Sequence, residues 1–261
     1  MDTLALKIIL TPLLFGAVSL AGRRWGPAVS GSLVALPLTS APVLLFLALD
    51  HGLRFAAATA GGILAGTISG ALFCLVYARL ARHTVWALST AVATLGYAVC
   101  TLALRSAALA LPLLVAIVLV ALAAALWLMP PGDNKPSELA LPWWDLPARI
   151  LIATSFIIAI TALAPALGPH LSGLITPFPL FTTILAAFAH AQRGPAQAIS
   201  VMRGVVTGLM GTTFFFWVVA AWLPQLGIAL TFSLAVGVTL LAQTLSLRAL
   251  SGRGFHALCS S

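Results

Sequence analysis

Gly168-Pro169-His170-Leu171-Ser172-Gly173-Leu174-Ile175-Thr176-Pro177-Phe178-Pro179 decides how this chain is read, because much of it has already occurred once. Gly26-Pro27-Ala28-Val29-Ser30-Gly31, running on to Pro37-Leu38, lies 142 positions earlier. Sliding the chain by 142 without a gap sets Gly26, Pro27, Ser30, Gly31, Pro37, Leu38, Phe46, Gly52, Ala56, Gly62, Gly66 and Phe73 each on an identical residue, and Lys7 on Arg149. Self-similarity at one fixed offset marks an internal duplication.

The medium follows from composition. Hydrophobic residues make up 61% of the 261 positions and charged residues 7%, against roughly a quarter charged in soluble domains. Apolar runs of about 20 residues recur, the length a helix needs to cross ~30 Å of hydrocarbon. The chain is therefore expected to be an all-α integral membrane protein. A pI of 10.8 suggests nucleic acid in a soluble protein; in a membrane chain it reflects basic residues on cytoplasmic loops, and no nucleic-acid partner is expected. Cys74, Cys100 and Cys259 show no disulfide or metal spacing.

The hydropathy pattern predicts about nine spans, at 3–21, 28–49, 53–78, 84–104, 107–129, 147–166, 169–191, 195–222 and 226–248. Lys7, the apolar run after it and the small residues Ala17 and Ser19 imitate a secretory signal. The internal partner of that segment, beginning at Arg149, makes it the first span instead. Residues 1–104 form the first repeat, 105–146 a connector span and loop, 147–250 the second repeat and 251–261 a cytoplasmic tail. With alternating spans, Arg23, Arg24, Arg79, Arg82, Lys135, Arg149, Arg193, Arg248 and Arg253 share one side, against Lys7, Arg54 and Arg105 on the other. That bias places the N-terminus outside and the C-terminus in the cytoplasm of a cell membrane.

Spans 1–4 match spans 6–9, and an offset of five helices turns the second copy upside down. Two inverted four-helix repeats about a connector are typical of secondary transporters, whose sites lie near the midplane where the repeats meet. Pro37 and Pro179 sit ten residues beyond Pro27 and Pro169, ~15 Å into a helix, where proline breaks the hydrogen-bond ladder. Backbone groups freed there, with Thr39 and Ser40 on one copy and Thr176, Pro177, Thr182 and Thr183 on the other, are candidate substrate ligands; a packing kink is the plainer alternative. Gly62, Gly66 and Gly70 align with Gly204, Gly208 and Thr212, small residues every fourth position that suit close helix packing, span 3 against span 8.

Arg203 replaces Gly61 of the first copy and follows Pro195 by eight residues, ~12 Å along the helix. A cation at such depth needs a partner or a cavity. A substrate carboxylate or phosphate is the preferred reading, with backbone carbonyls or snorkelling as alternatives. His190 and Asp50 are candidates for coupling, each with a plainer role in capping or an interfacial ion pair with Arg54. Lys7 and Arg149 read as helix-end anchors in the headgroups. No phosphate loop, metal spacing or converging Ser/His/Asp set is present, so no enzyme activity, metal or cofactor is expected.

Gly173-Leu174, Phe178-Pro179, Phe181 and His190 resemble the GlpM-type family of small bacterial inner-membrane proteins. Members are about half as long as this chain, which implies two such units fused through a connector helix. The expected function is a secondary transporter that moves a small anionic or zwitterionic solute by alternating access. A monomer suffices for that scheme, and a homodimer is compatible with it. The alternatives are a non-transporting scaffold for envelope-polymer or lipid enzymes, and a lipid flippase or scramblase.

Overall fold

In hydrocarbon every backbone N–H and C=O must find a partner within the protein, and helices achieve this inside each segment. The computed structural model describes residues 16–37, 40–104, 109–133, 143–155 and 178–258, with positions 13 and 158, and among them it is helical without strands. The elements are α1 (16–25), α2 (Pro27–Val34), α3 (Ser40–His51), α4 (Leu53–Leu80), α5 (Trp86–Leu104), α6 (Leu111–Leu128), α7 (145–155), α8 (Leu180–Arg193) and α9 (Pro195–Leu258).

Four of these helices are long and apolar enough to cross a membrane: α4, α5, α6 and the stretch Pro195–Thr244 of α9. That 50-residue stretch would extend ~75 Å if straight, more than twice the hydrocarbon thickness. Gly227, at φ 73 and ψ 178, divides it into two arms. The second arm folds back on the first: Phe232 meets Phe215 with ring centroids 6.0 Å apart, and Thr239 and Gln243 flank Gly211. Large apolar side chains left exposed on α5 and on the second arm, among them Leu95, Val99, Leu230 and Leu241, form the outer surface that lipid covers.

The expected second span is two helices. α2 ends at Val34, α3 begins at Ser40, and Pro37 lies buried between them. The expected spans at 3–21, 147–166 and 169–191 fall partly outside the described residues.

Burial repeats at the 142-residue offset. Ala56 and Ala198, Ala60 and Met202, Leu64 and Val206, and Ala93 and Ala235 are all fully buried pairs. Leu88 and Leu230, and Val99 and Leu241, are exposed pairs. The Pro37 carbonyl accepts the N–H of Ala41 at 2.8 Å, and the Pro179 carbonyl accepts that of Thr183 at 2.9 Å, so the matched prolines open α3 and α8 in the same manner.

Contacts set which helix ends lie together. Arg79, near the end of α4, donates from Nε to the Leu128 carbonyl at the end of α6, 2.8 Å away. Asp133 donates its N–H to the Ala196 carbonyl at the start of α9. Tyr77 of α4 meets His190 of α8, with Oη and Nδ1 3.4 Å apart. Arg23 at the end of α1 pairs with Asp145 at the start of α7. α2 runs alongside the first arm of α9 in the same direction: Ala28 lies against Gly204, Ser32 against Gly208 and Ala35 against Thr212. The ends of α1, α4, α6 and α8 and the starts of α2, α7 and α9 thus gather into one basic end of the bundle. Phe178 wedges between α4 and α5, edge-on to Phe73 and Tyr97 at 6.0 and 5.8 Å.

Candidate functional site

Arg203 lies in the first arm of α9 and donates from its terminal nitrogen to the carbonyls of Leu126 and Met129, at 3.1 and 3.2 Å. With Arg79 on Leu128, two arginines from neighbouring helices satisfy the last carbonyls of α6, which have no intrahelical donors and carry the negative end of its dipole. Of the alternatives weighed for Arg203, carbonyl pairing is the contact made here.

The residues expected around the prolines are spread out. Pro37 is buried and Pro179 half-buried, each with its carbonyl bonded as described. Thr183 donates its hydroxyl to the Pro179 carbonyl at 2.9 Å, so that carbonyl accepts twice. Thr182 is buried and Ser40 half-buried. Thr39, Thr176 and Pro177 lie outside the described residues. Of the backbone groups expected to be freed around the prolines, the Leu33 carbonyl, which Pro37 leaves without its i+4 donor, accepts the N–H of Leu36, and the carbonyls of Pro37 and Pro179 are engaged at the start of the next helix. Asp50 and Arg54 are exposed on either side of Gly52 and form no ion pair among the described residues, because the turn at Gly52 (φ 90) interrupts the helix between them. His190 packs edge-on against Tyr77.

The glycine strips behave differently in the two copies. A side-chain carbon on Gly204 or Gly208 would overlap the backbone carbonyl of Ala28 or Ser32, and one on Gly31 would overlap that of Val201. The close approach is therefore between α2 and α9, cemented by the Thr212 hydroxyl on the Ala35 carbonyl and by Gln243 on Ser32. Gly62 and Gly66 meet nothing within 4 Å, and Gly70 meets only the Leu209 side chain at 3.7 Å. The expectation that Gly62 and Gly66 form a contact face is corrected: α4 does pack on α9, but through other residues.

Sequence reasoning did not assemble the charge cluster that the described residues form at the basic end. Asp145 is 1% exposed and serves two arginines: Oδ1 accepts from Arg149 and Oδ2 from Arg23, each at 2.9 Å. Arg149 is 7% exposed, with its guanidinium 4.9 Å from the Phe188 ring centroid. This corrects its reading as a headgroup anchor: an acid one turn earlier and an aromatic face hold it inside. Arg193, closing α8, completes a small pocket with Ser19, Arg23, Ser30 and Arg149. Burial pushes the Asp145 carboxyl up, but the guanidiniums of Arg149 and Arg23 and the Gln192 amide outweigh it, so its pKa lies below the usual value. Burial lowers that of Arg193, partly offset by Asp145, and a guanidinium stays charged regardless.

The signal for this cluster was present in part. Asp145 and Arg149 are spaced i,i+4 at the mouth of an apolar run, but nothing in linear spacing brings Arg23 and Arg193 to them. No family model, curated protein or solved structure matches the chain.

Proposed function

We propose that the protein is an inverted-repeat secondary transporter of the bacterial inner membrane, with about nine spans, moving a small anionic or zwitterionic solute. One observation supports the reading: which ends of the segments matched at the 142 offset make contacts at the basic end. α1 arrives there at Arg23, whereas α7 departs at Asp145. α4 arrives at Tyr77 and Arg79, whereas α9 departs at Pro195. α3 leads away from that end to Gly52, whereas α8 arrives at His190 and Arg193. Opposed copies of one unit are the frame on which alternating access operates.

Further support comes from the character of that end. Arg23, Arg24, Arg79, Arg82, Arg149 and Arg193 lie on it, as expected of a cytoplasmic face. Trp25, Trp127 and Trp143 are 61%, 84% and 87% exposed at the same end, where indoles favour headgroup depth. The solute class rests on the arginine pocket, whose formal charge is +2 from three arginines and one aspartate (3 − 1). Arg203 serves as the brace that fixes α6 to the moving repeat, and His190 on Tyr77 is the candidate for proton coupling.

The test is flux. Purified protein in liposomes is expected to move a radiolabelled anion from a mixed pool of small phosphates and carboxylates, with no added partner. Absence of flux for every anion, together with co-purification of an envelope-polymer or lipid enzyme, would select the scaffold reading instead.

A further inference from the structure

We propose that the pocket between α1, α2, α7, α8 and α9 binds a phosphate group, with Arg193 and Ser19 as direct ligands and Arg23 and Arg149 as its electrostatic wall. The inference rests on the transport reading to the extent that it names the class of anion handled at the basic end.

Several observations converge on it. Both oxygens of Asp145 are taken, one by Arg149 and one by Arg23, which orients those guanidiniums. Arg193 Nε is buried and has no hydrogen-bond partner among the described residues, and the same holds for Ser19 Oγ. Both residues line the pocket. A buried donor left without an acceptor is costly and rare in folded proteins, and it points to a missing acceptor. The formal charge of +2 matches a phosphate dianion, and the start of α2 at Pro27, also on the wall, adds the positive end of a helix dipole. The donors come from two different helices, α1 and α8, and a tetrahedral phosphate has more acceptor oxygens to divide between them than a planar carboxylate, which presents two in one plane.

The phosphate can be free or can belong to a lipid headgroup, since the pocket-lining Arg23 and Arg193 lie at the same end of the bundle as the exposed tryptophans. Two arms separate these sources. In detergent, thermal unfolding of the full chain is followed against inorganic phosphate, with acetate at equal ionic strength as the control. In nanodiscs of phosphatidylcholine, it is followed with and without phosphatidic acid. Saturable stabilisation by inorganic phosphate above acetate assigns a free anion; stabilisation by phosphatidic acid alone assigns a lipid headgroup; either supports the pocket. Arg193→Gln and Ser19→Ala are each expected to weaken the effective probe roughly tenfold or more. Should Arg193→Gln fail to fold, Ser19→Ala carries the test, since it removes one hydroxyl and no charge. The proposal is overturned if neither probe stabilises the protein, if acetate matches phosphate, or if both variants respond like the parent. Phosphate binding without flux would remove the transport reading and leave the pocket standing. Flux with no response to either phosphate probe would do the reverse.

Discussion

Gly52 and Gly194 stand 142 residues apart and hold one backbone conformation, φ 90 and ψ 163 against φ 87 and ψ 177. This region of φ/ψ space is essentially closed to residues with a side chain. Each glycine joins a shorter helix to a long one, α3 to α4 and α8 to α9. An added side chain would meet nothing within 4 Å at either site, so only the backbone resists substitution. Gly52→Ala and Gly194→Ala are each expected to destabilise the protein by about 1–3 kcal/mol, read as a lower unfolding temperature in detergent. A neutral result at either would mean that the joint relaxes into ordinary geometry.

The glycine strips offer a contrast within one aligned pair. Gly204 is pressed against the Ala28 carbonyl, while its partner Gly62 is open. Gly204→Ala is expected to force α2 and α9 apart at a cost of about 1–3 kcal/mol. Gly62→Ala is expected to be neutral or stabilising by up to about 1 kcal/mol, because alanine suits a helix better. Thermal unfolding of the two variants side by side checks the difference, and equal losses would contradict the asymmetry.

Asp145 links stability to acid. Its folded pKa is depressed, so its contribution is complete above the unfolded value and is lost as pH falls through the folded one. The loss is therefore expected below pH about 4. Asp145→Asn leaves Arg23 and Arg149 facing each other and is expected to cost on the order of 2 kcal/mol at neutral pH, less than in a fully buried pair because Arg23 is partly solvated. In that variant the acid limb of the stability profile should flatten. A steep acid limb unchanged by the substitution would place its origin elsewhere.

Arg203→Leu removes the donors for the Leu126 and Met129 carbonyls and is expected to cost about 1–3 kcal/mol. Arg203→Lys, which keeps a cationic donor, should recover part of that. If Arg203→Leu kept full stability and lost only solute flux, its main role would lie with the solute rather than with α6.

Much of the fold was legible because the medium leaves few options: an apolar run of the right length becomes a helix, and 53–78, 84–104 and 107–129 reappear within a few residues as α4, α5 and α6. Proline was legible in part for the same reason, since Pro37 would remove a ladder hydrogen bond inside a helix and falls between α2 and α3. Which face each helix buries was not legible. Small residues every four positions look alike whether they press on a neighbour, as Gly204 does, or meet none, as Gly62 does. Nor could spacing show that Arg23 and Arg193, 170 positions apart (193 − 23), line one pocket with Arg149. Arg203 illustrates a further limit: its depth implied a partner, but the α6 carbonyls that supply it belong to a segment with no repeat mate to suggest the contact.

The opposed orientation of the two copies is the claim on which transport rests, and sidedness measures it directly. Single cysteines at His51 and at Ala191, both exposed beside the matched glycine joints, would be introduced with the native cysteines replaced by alanine. They would then be probed in intact cells and in inverted vesicles with a membrane-impermeant maleimide. The expected result is labelling of His51→Cys only from outside and of Ala191→Cys only from the cytoplasmic side. Labelling of both from the same side would mean that the copies point the same way, and the inverted-repeat account would fall.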